Sequence, residues 1–168
     1  MLLQIIWEQK STSGYVINHT VEERGYRHWI DIGSTSIYIG LKKLEDKGLI
    51  ESSYDLKKIG RGALPKKIKI TDKGARVLRQ EIFLSLSNEP GRQIEVGLAG
   101  IPVLNKEHLM NALKKGRSAI MKMLSDIQIK KSHALTLPIK ALIEHSNMRL
   151  AGDLDFFKFL MHEVKKAG

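Results

Sequence analysis

A chain of 168 residues has room for one ordinary domain with an extension, or for two small ones. Its 42% hydrophobic and 27% charged residues suit a soluble globular protein, and a formal net charge of +10 points to an anionic partner, nucleic acid first among them. There is no cysteine, which excludes disulfides, thiolate zinc sites and a cysteine nucleophile.

The first residues, Met1-Leu2-Leu3-Gln4-Ile5-Ile6-Trp7, carry no basic region and soon meet Glu8, so they do not read as a signal peptide. The longest apolar or Gly/Pro run, 98–104, is far below the ~18 residues of a membrane span. A cytoplasmic protein without membrane contacts is expected. Residues 2–8 read as a short helix with Leu2, Leu3, Ile5, Ile6 and Trp7 in the core, broken by Lys10-Ser11-Thr12-Ser13-Gly14. A second helix is expected from about Ser13 to Arg24, burying Tyr15, Val16, Ile17 and Val21 and stopped by Gly25. Tyr26–Ile32 is a connector with apolar anchors.

The next stretch organises the rest. Ser34 is a candidate N-cap and Gly48 a candidate C-terminal glycine with φ > 0. Between them Ile37, Leu41 and Leu44 make one apolar stripe at helical period. Winding the helix puts Thr35, Ser36, Ile39, Lys42 and Lys43 on the opposite face, with Tyr38 at the flank of the stripe. A small, hydroxylic and basic face suits entry into a DNA major groove. Any amphipathic surface helix would share that pattern, so the neighbouring segments decide.

After Gly48 the period changes from 3.6 to 2. Leu49–Tyr54 and Lys67–Ile70 read as antiparallel strands joined by a glycine-bearing loop. From Lys57 to Lys69 the residues Lys57, Lys58, Arg61, Lys66, Lys67 and Lys69 are basic and none is acidic, as a phosphate clamp requires. Thr71 is a plausible cap of a fourth helix carrying Val77, Leu78, Ile82 and Phe83, which fades at Ser87-Asn88-Glu89-Pro90-Gly91. Three helices, a hairpin and a helix form the winged-helix order, in which the third helix and the hairpin together face DNA. The fold class is mostly α with a small β-hairpin. A winged helix-turn-helix DNA-binding domain is expected over 1–86, followed by a helical domain over 92–168.

Within that order, Gly14-Tyr15, the run Tyr38-Ile39-Gly40-Leu41-Lys42-Lys43-Leu44-Glu45-Asp46-Lys47-Gly48-Leu49-Ile50, the wing segment Gly60-Arg61-Gly62-Ala63-Leu64-Pro65 and Thr71-Asp72-Lys73-Gly74 resemble the PadR family of transcriptional regulators. Ser13 stands where many members have His, and Ile39 where many have Pro. The resemblance implies that Tyr15, Thr35, Ser36, Tyr38, Lys42 and Lys43 face DNA, with Arg61, Lys66 and Lys67 in the wing.

In the second half a short helix should end at Gly100. Asn105 should cap a long helix with Leu109, Leu113, Ile120, Met123 or Leu124, and Ile127 in its stripe, and Gly116 among them. Pro138 opens a last helix carrying Ile139, Ile143, Leu150, Leu154, Phe157, Met161 and Val164, with Phe156, Phe159 and Leu160 as a second apolar face. Faces this broad call for a partner surface, and a homodimer is expected through Leu109, Leu113, Ile120, Leu124, Ile143, Leu150, Leu154, Phe157 and Met161. A two-fold dimer would present two third helices to a pseudo-palindromic operator. The Met and Phe residues are also adaptable wall material for a small-molecule effector.

The six histidines lie at no metal-ligand spacing, no phosphate loop ends Gly60-Arg61-Gly62, and no nucleophile, base and orienter come together. No metal, cofactor or enzymatic activity is expected. The reading is a DNA-binding repressor, dimeric and ligand-responsive; the alternative is a winged-helix protein-interaction module without specific DNA binding.

Overall fold

The computed structural model describes residues 1–28, 32–54, 66–88, 94–131 and 136–167. The chain packs as two compact units, Met1–Gln80 and Glu81–Gly168. The division falls inside the fourth helix, so its last turns belong to the second unit.

The first unit begins with α1 (Leu2–Gln9) and α2 (Gly14–Glu23). Ser13 caps α2, its Oγ accepting the Val16 N–H at 3.3 Å. Gly25, at φ 63°, takes the chain away from the helix end. The recognition candidate α3 spans Ser34–Asp46. Its N-cap is Gly33 rather than Ser34, whose hydroxyl accepts from Arg27 Nη2 at 3.3 Å instead. The C-terminal end is as expected. Gly48 has φ 66°, its N–H donates to Glu45 O at 2.8 Å, and the Leu49 N–H donates to Leu44 O at 2.9 Å. Those two bonds close a Schellman motif and turn the chain directly into the hairpin.

The hairpin pairs β1 (Ile50–Tyr54) with β2 (Lys66–Ile70) in antiparallel register, Ile50 opposite Ile70 and Tyr54 opposite Lys66. A third segment joins it that periodicity did not reveal. Thr12, between α1 and α2, pairs with Ile68 through two backbone bonds of 3.0 and 2.7 Å. One residue has no period, so such a bridge leaves no trace in the pattern. The core of the unit gathers Ile5, Ile6, Ile17, Val21, Ile37, Leu41, Ile50 and Ile68, with Leu2, Leu3 and Leu44 packed against it. Gln4 is also buried, its amide donating to Glu8 Oε1 at 3.1 Å. Burial of Tyr15 and Val16 is corrected: both are exposed, because α2 turns only Ile17, Thr20 and Val21 inward.

The fourth helix, α4 (Asp72–Ser87), starts where Thr71 Oγ1 accepts the Gly74 N–H at 3.0 Å, the expected cap. Thr71 Oγ1 also donates to Gly48 O at 2.8 Å, which ties the start of α4 to the end of α3. In the second unit come α5 (Ile94–Ala99), a 3-10 turn at Ile101–Val103, α6 (Lys106–Lys131) and α7 (Leu137–Lys166). Asn105 Oδ1 accepts the His108 N–H at 2.8 Å and so caps α6. Leu109, Leu113, Ile120, Leu150, Phe157 and Met161 are buried within this single chain. Gly116 makes the close packing possible. A Cβ there would fall 2.6 Å from the Phe157 ring and 2.2 Å from Leu86 O. Ile139 departs from its expected place in the stripe and is exposed. No described helix is long and apolar enough to cross a membrane.

Candidate nucleic-acid interface

The face opposite the α3 stripe is open. Thr35, Ser36, Tyr38, Ile39, Lys42 and Lys43 are all exposed, while Ile37 and Leu41 are buried beneath them. Helical period alone explains this, since the stripe that holds α3 in the core turns these six outward. Ile39 is 52% exposed. An apolar side chain this open can meet another apolar surface, such as a thymine methyl.

Tyr38 is 54% exposed and rests on the start of α2. A Cβ on Gly14 would lie 2.7 Å from Tyr38 Cε1, so a larger residue there would make the ring shift from its seat. This explains the Gly14-Tyr15 pair physically: the glycine seats the α3 tyrosine, and the next residue is left outside. Tyr15 is 73% exposed and stands edge-on to His19, whose Nδ1 lies 3.5 Å from Glu23 Oε2. Tyr38 thus serves both packing and surface, whereas Tyr15 is a surface residue. Gly40 plays the matching part on the other side of α3, where a Cβ would meet Leu2 at 2.7 Å.

At the wing, Lys66 and Lys67 are exposed at the start of β2. Lys66 is already engaged, its Nζ lying 2.9 Å from Glu45 Oε2. Lys57, Lys58 and Arg61 lie outside the described residues. Two side chains that periodicity passed over belong to the same surface. Arg27 Nε pairs with Glu22 at 3.0 Å while Nη2 reaches both Asn18 and Ser34 at 3.3 Å, placing a guanidinium at the first residue of α3. Glu45 accepts from Ser52 Oγ and from Lys66 Nζ. Those hydrogen bonds, the Ser52 one foremost, hold its carboxyl below the ordinary carboxylate value. Arg27 could have been noticed as a cation just before α3; Glu45 gave no local signal.

Residues 2–80 match the family model described as "Transcriptional regulator PadR-like family". Residues 2–80 belong to that family. The PadR-like domain therefore covers the three helices, the hairpin and the first half of α4, and members of the family are transcriptional regulators, not enzymes. Among solved structures, the chain is similar to Bacillus subtilis PadR in complex with operator DNA, at 18% identity, 96% coverage of each chain and a TM-score of 0.43. It is likewise similar to a PadR-like transcriptional regulator from Bacillus cereus, at 19% identity, covering 99% of this chain and 96% of that one, with a TM-score of 0.40. No curated protein matches the chain.

Beyond the PadR-like domain, Leu124, Ile143 and Leu154 are half-buried, and the other six residues expected at a dimer interface are already covered within one chain. They hold the second unit together. What α6 and α7 leave outside is a different set, Met121, Ile129, Leu137, Ile139, Leu142, Met148, Phe156 and Phe159. Phe156 and Phe159 lie 6.4 Å apart, centroid to centroid.

Proposed function

We propose that this PadR-like regulator is a repressor that binds a pseudo-palindromic duplex operator as a homodimer. The observation that carries the reading is the open α3 face: Thr35, Ser36, Tyr38, Ile39, Lys42 and Lys43 side by side, beside Lys66 and Lys67. Hydroxyls and lysines meet phosphates and base edges. Tyr15 and Arg27 extend that surface along the backbone. The sequence between β1 and β2 carries Lys57, Lys58 and Arg61 and adds further positive charge.

Dimerisation rests on the exposed apolar residues of α6 and α7. Phe159 is 58% exposed on a helix that already buries Leu150, Phe157 and Met161 within its own chain. Large apolar residues clustered at a surface mark an interaction site. A second copy offers the same residues, as a two-fold interface requires. A small-molecule effector would act between the paired helices. It releases DNA by binding one spacing of the two wings better than the other.

The test is binding to a duplex from immediately upstream of the protein's own coding region, against a scrambled duplex of equal length, across ~50–300 mM salt. Retention of the native duplex by ~100-fold over the scramble, at two protomers per site, is the expected result. Equal binding that fades together as salt rises would replace this reading with a protein-interaction module bearing a basic surface. Phe159→Glu should shift the sedimenting species from dimer to monomer.

A further inference from the structure

The wing hairpin is anchored to the rest of the PadR-like domain at successive depths. Ile50 and Ile68 are buried in the core, and Thr12 pairs with Ile68. Beyond Ile68 the strand ends are exposed at Ser53, Tyr54, Lys66 and Lys67. One side chain of α3 reaches them. Glu45 Oε1 accepts from Ser52 on β1, and Oε2 accepts from Lys66 on β2 at 2.9 Å. Lys66 is the partner of Tyr54, the last described rung before the loop. A single carboxylate thus joins the recognition helix to both strands at the outer end of the hairpin. The three residues also line a groove of about 400 Å³ between α3 and the hairpin, together with Tyr38, Lys42 and Asp46.

We propose that Glu45 is a positioning residue that sets the angle of the wing to the recognition helix, and so sharpens the choice of operator. The selectivity half rests on the DNA-binding function proposed above; the geometric half does not. The position is otherwise odd for an acidic group. A carboxylate on a surface meant for phosphates repels them, and its removal would by charge alone strengthen binding to every duplex. The clip makes the opposite prediction for discrimination. A wing held at one angle meets the backbone only when α3 is seated in register, whereas a wing that swings finds phosphates on any sequence.

The chain has no cysteine, so Lys47→Cys and Ser53→Cys place two spin labels without further change. Both positions are exposed. The distance distribution between them should be narrow in the parent and clearly broader in Glu45→Gln and in Ser52→Ala. Unchanged distributions in both variants overturn the proposal. Should Glu45→Gln lose its near-ultraviolet circular dichroism, Ser52→Ala alone decides. For selectivity, the duplex that the parent enriches from a pool with a randomised core is compared with its scramble. Glu45→Gln should lower the ratio of the two affinities about three- to fivefold, with binding to the scramble held or raised. A ratio that stays the same while both affinities rise shows a charge effect alone and overturns the selectivity half. If the parent enriches no sequence, operator binding falls, and the label distances still judge the clip.

Discussion

Gly74→Ala tests how the wing is joined to α4. In an open helix this substitution stabilises by about 1 kcal/mol, because alanine loses less backbone entropy. Here a Cβ would stand 2.0 Å from Leu49 O and 2.8 Å from Ile70 Cγ1. A carbon and a carbonyl oxygen ordinarily keep about 3.3 Å apart, so the two must separate by more than an ångström. The carbonyl is not free to yield. It accepts the Thr71 N–H at 3.1 Å, and the Leu49 N–H is itself bound to Leu44 O. Overpacking against fixed backbone costs about 2–3 kcal/mol, which the propensity gain offsets in part. The net expectation is a loss of about 1–2 kcal/mol, or roughly 4–8 °C of melting temperature per kcal/mol for a unit of this size. Both tryptophans, Trp7 and Trp29, fall within the sequence of the first unit, so tryptophan fluorescence in a urea titration is the signal that follows it. Gly152→Ala is the internal contrast. That glycine lies on the exposed side of α7 with nothing within 4 Å. There the same substitution should stabilise the second unit by about 0.5–1 kcal/mol, read by circular dichroism. A Gly74→Ala protein as stable as its parent would refute the reasoning from backbone packing.

Gly48→Ala should cost about 1 kcal/mol for another reason, since space is open there but φ is 66°; an unchanged urea midpoint would contradict it. The Glu45 clip also predicts a pH dependence. Its folded pKa is lowered, so its stabilisation is present above the unfolded value and is lost as pH falls through the folded one. The carboxylate is 36% exposed, which limits the effect to about 0.5 kcal/mol. Parent and Glu45→Gln should therefore differ in urea midpoint at neutral pH and converge in acid; a constant difference would point to packing instead. Finally, replacing Lys42 and Lys43 by alanine should lower the slope of log affinity against log salt by up to ~1.8 per protomer, and so up to ~3.6 for the bound dimer, about 0.9 for each phosphate no longer neutralised. A slope unaltered by both changes would remove these lysines from the interface.

Much of the surface was legible because helical period is local. The spacing of Ile37, Leu41 and Leu44 decided which side of α3 is buried, and hence that Thr35, Ser36, Ile39, Lys42 and Lys43 face out. The change of period after Gly48, and the caps at Thr71 and Asn105, were equally local. Each depends on residues within a turn or two of one another. Tertiary structure decided the rest. No pattern shows that Thr12 pairs with Ile68, that Gly14 seats the Tyr38 ring, or that one carboxylate at Glu45 holds both wing strands. The stripes of α6 and α7 teach the same point. Sequence period marks an apolar face but not what covers it, and here Leu113, Ile120, Leu150 and Phe157 are covered within their own chain. Burial is a relation between distant segments, so the residues left for a partner emerge only after the chain has packed against itself.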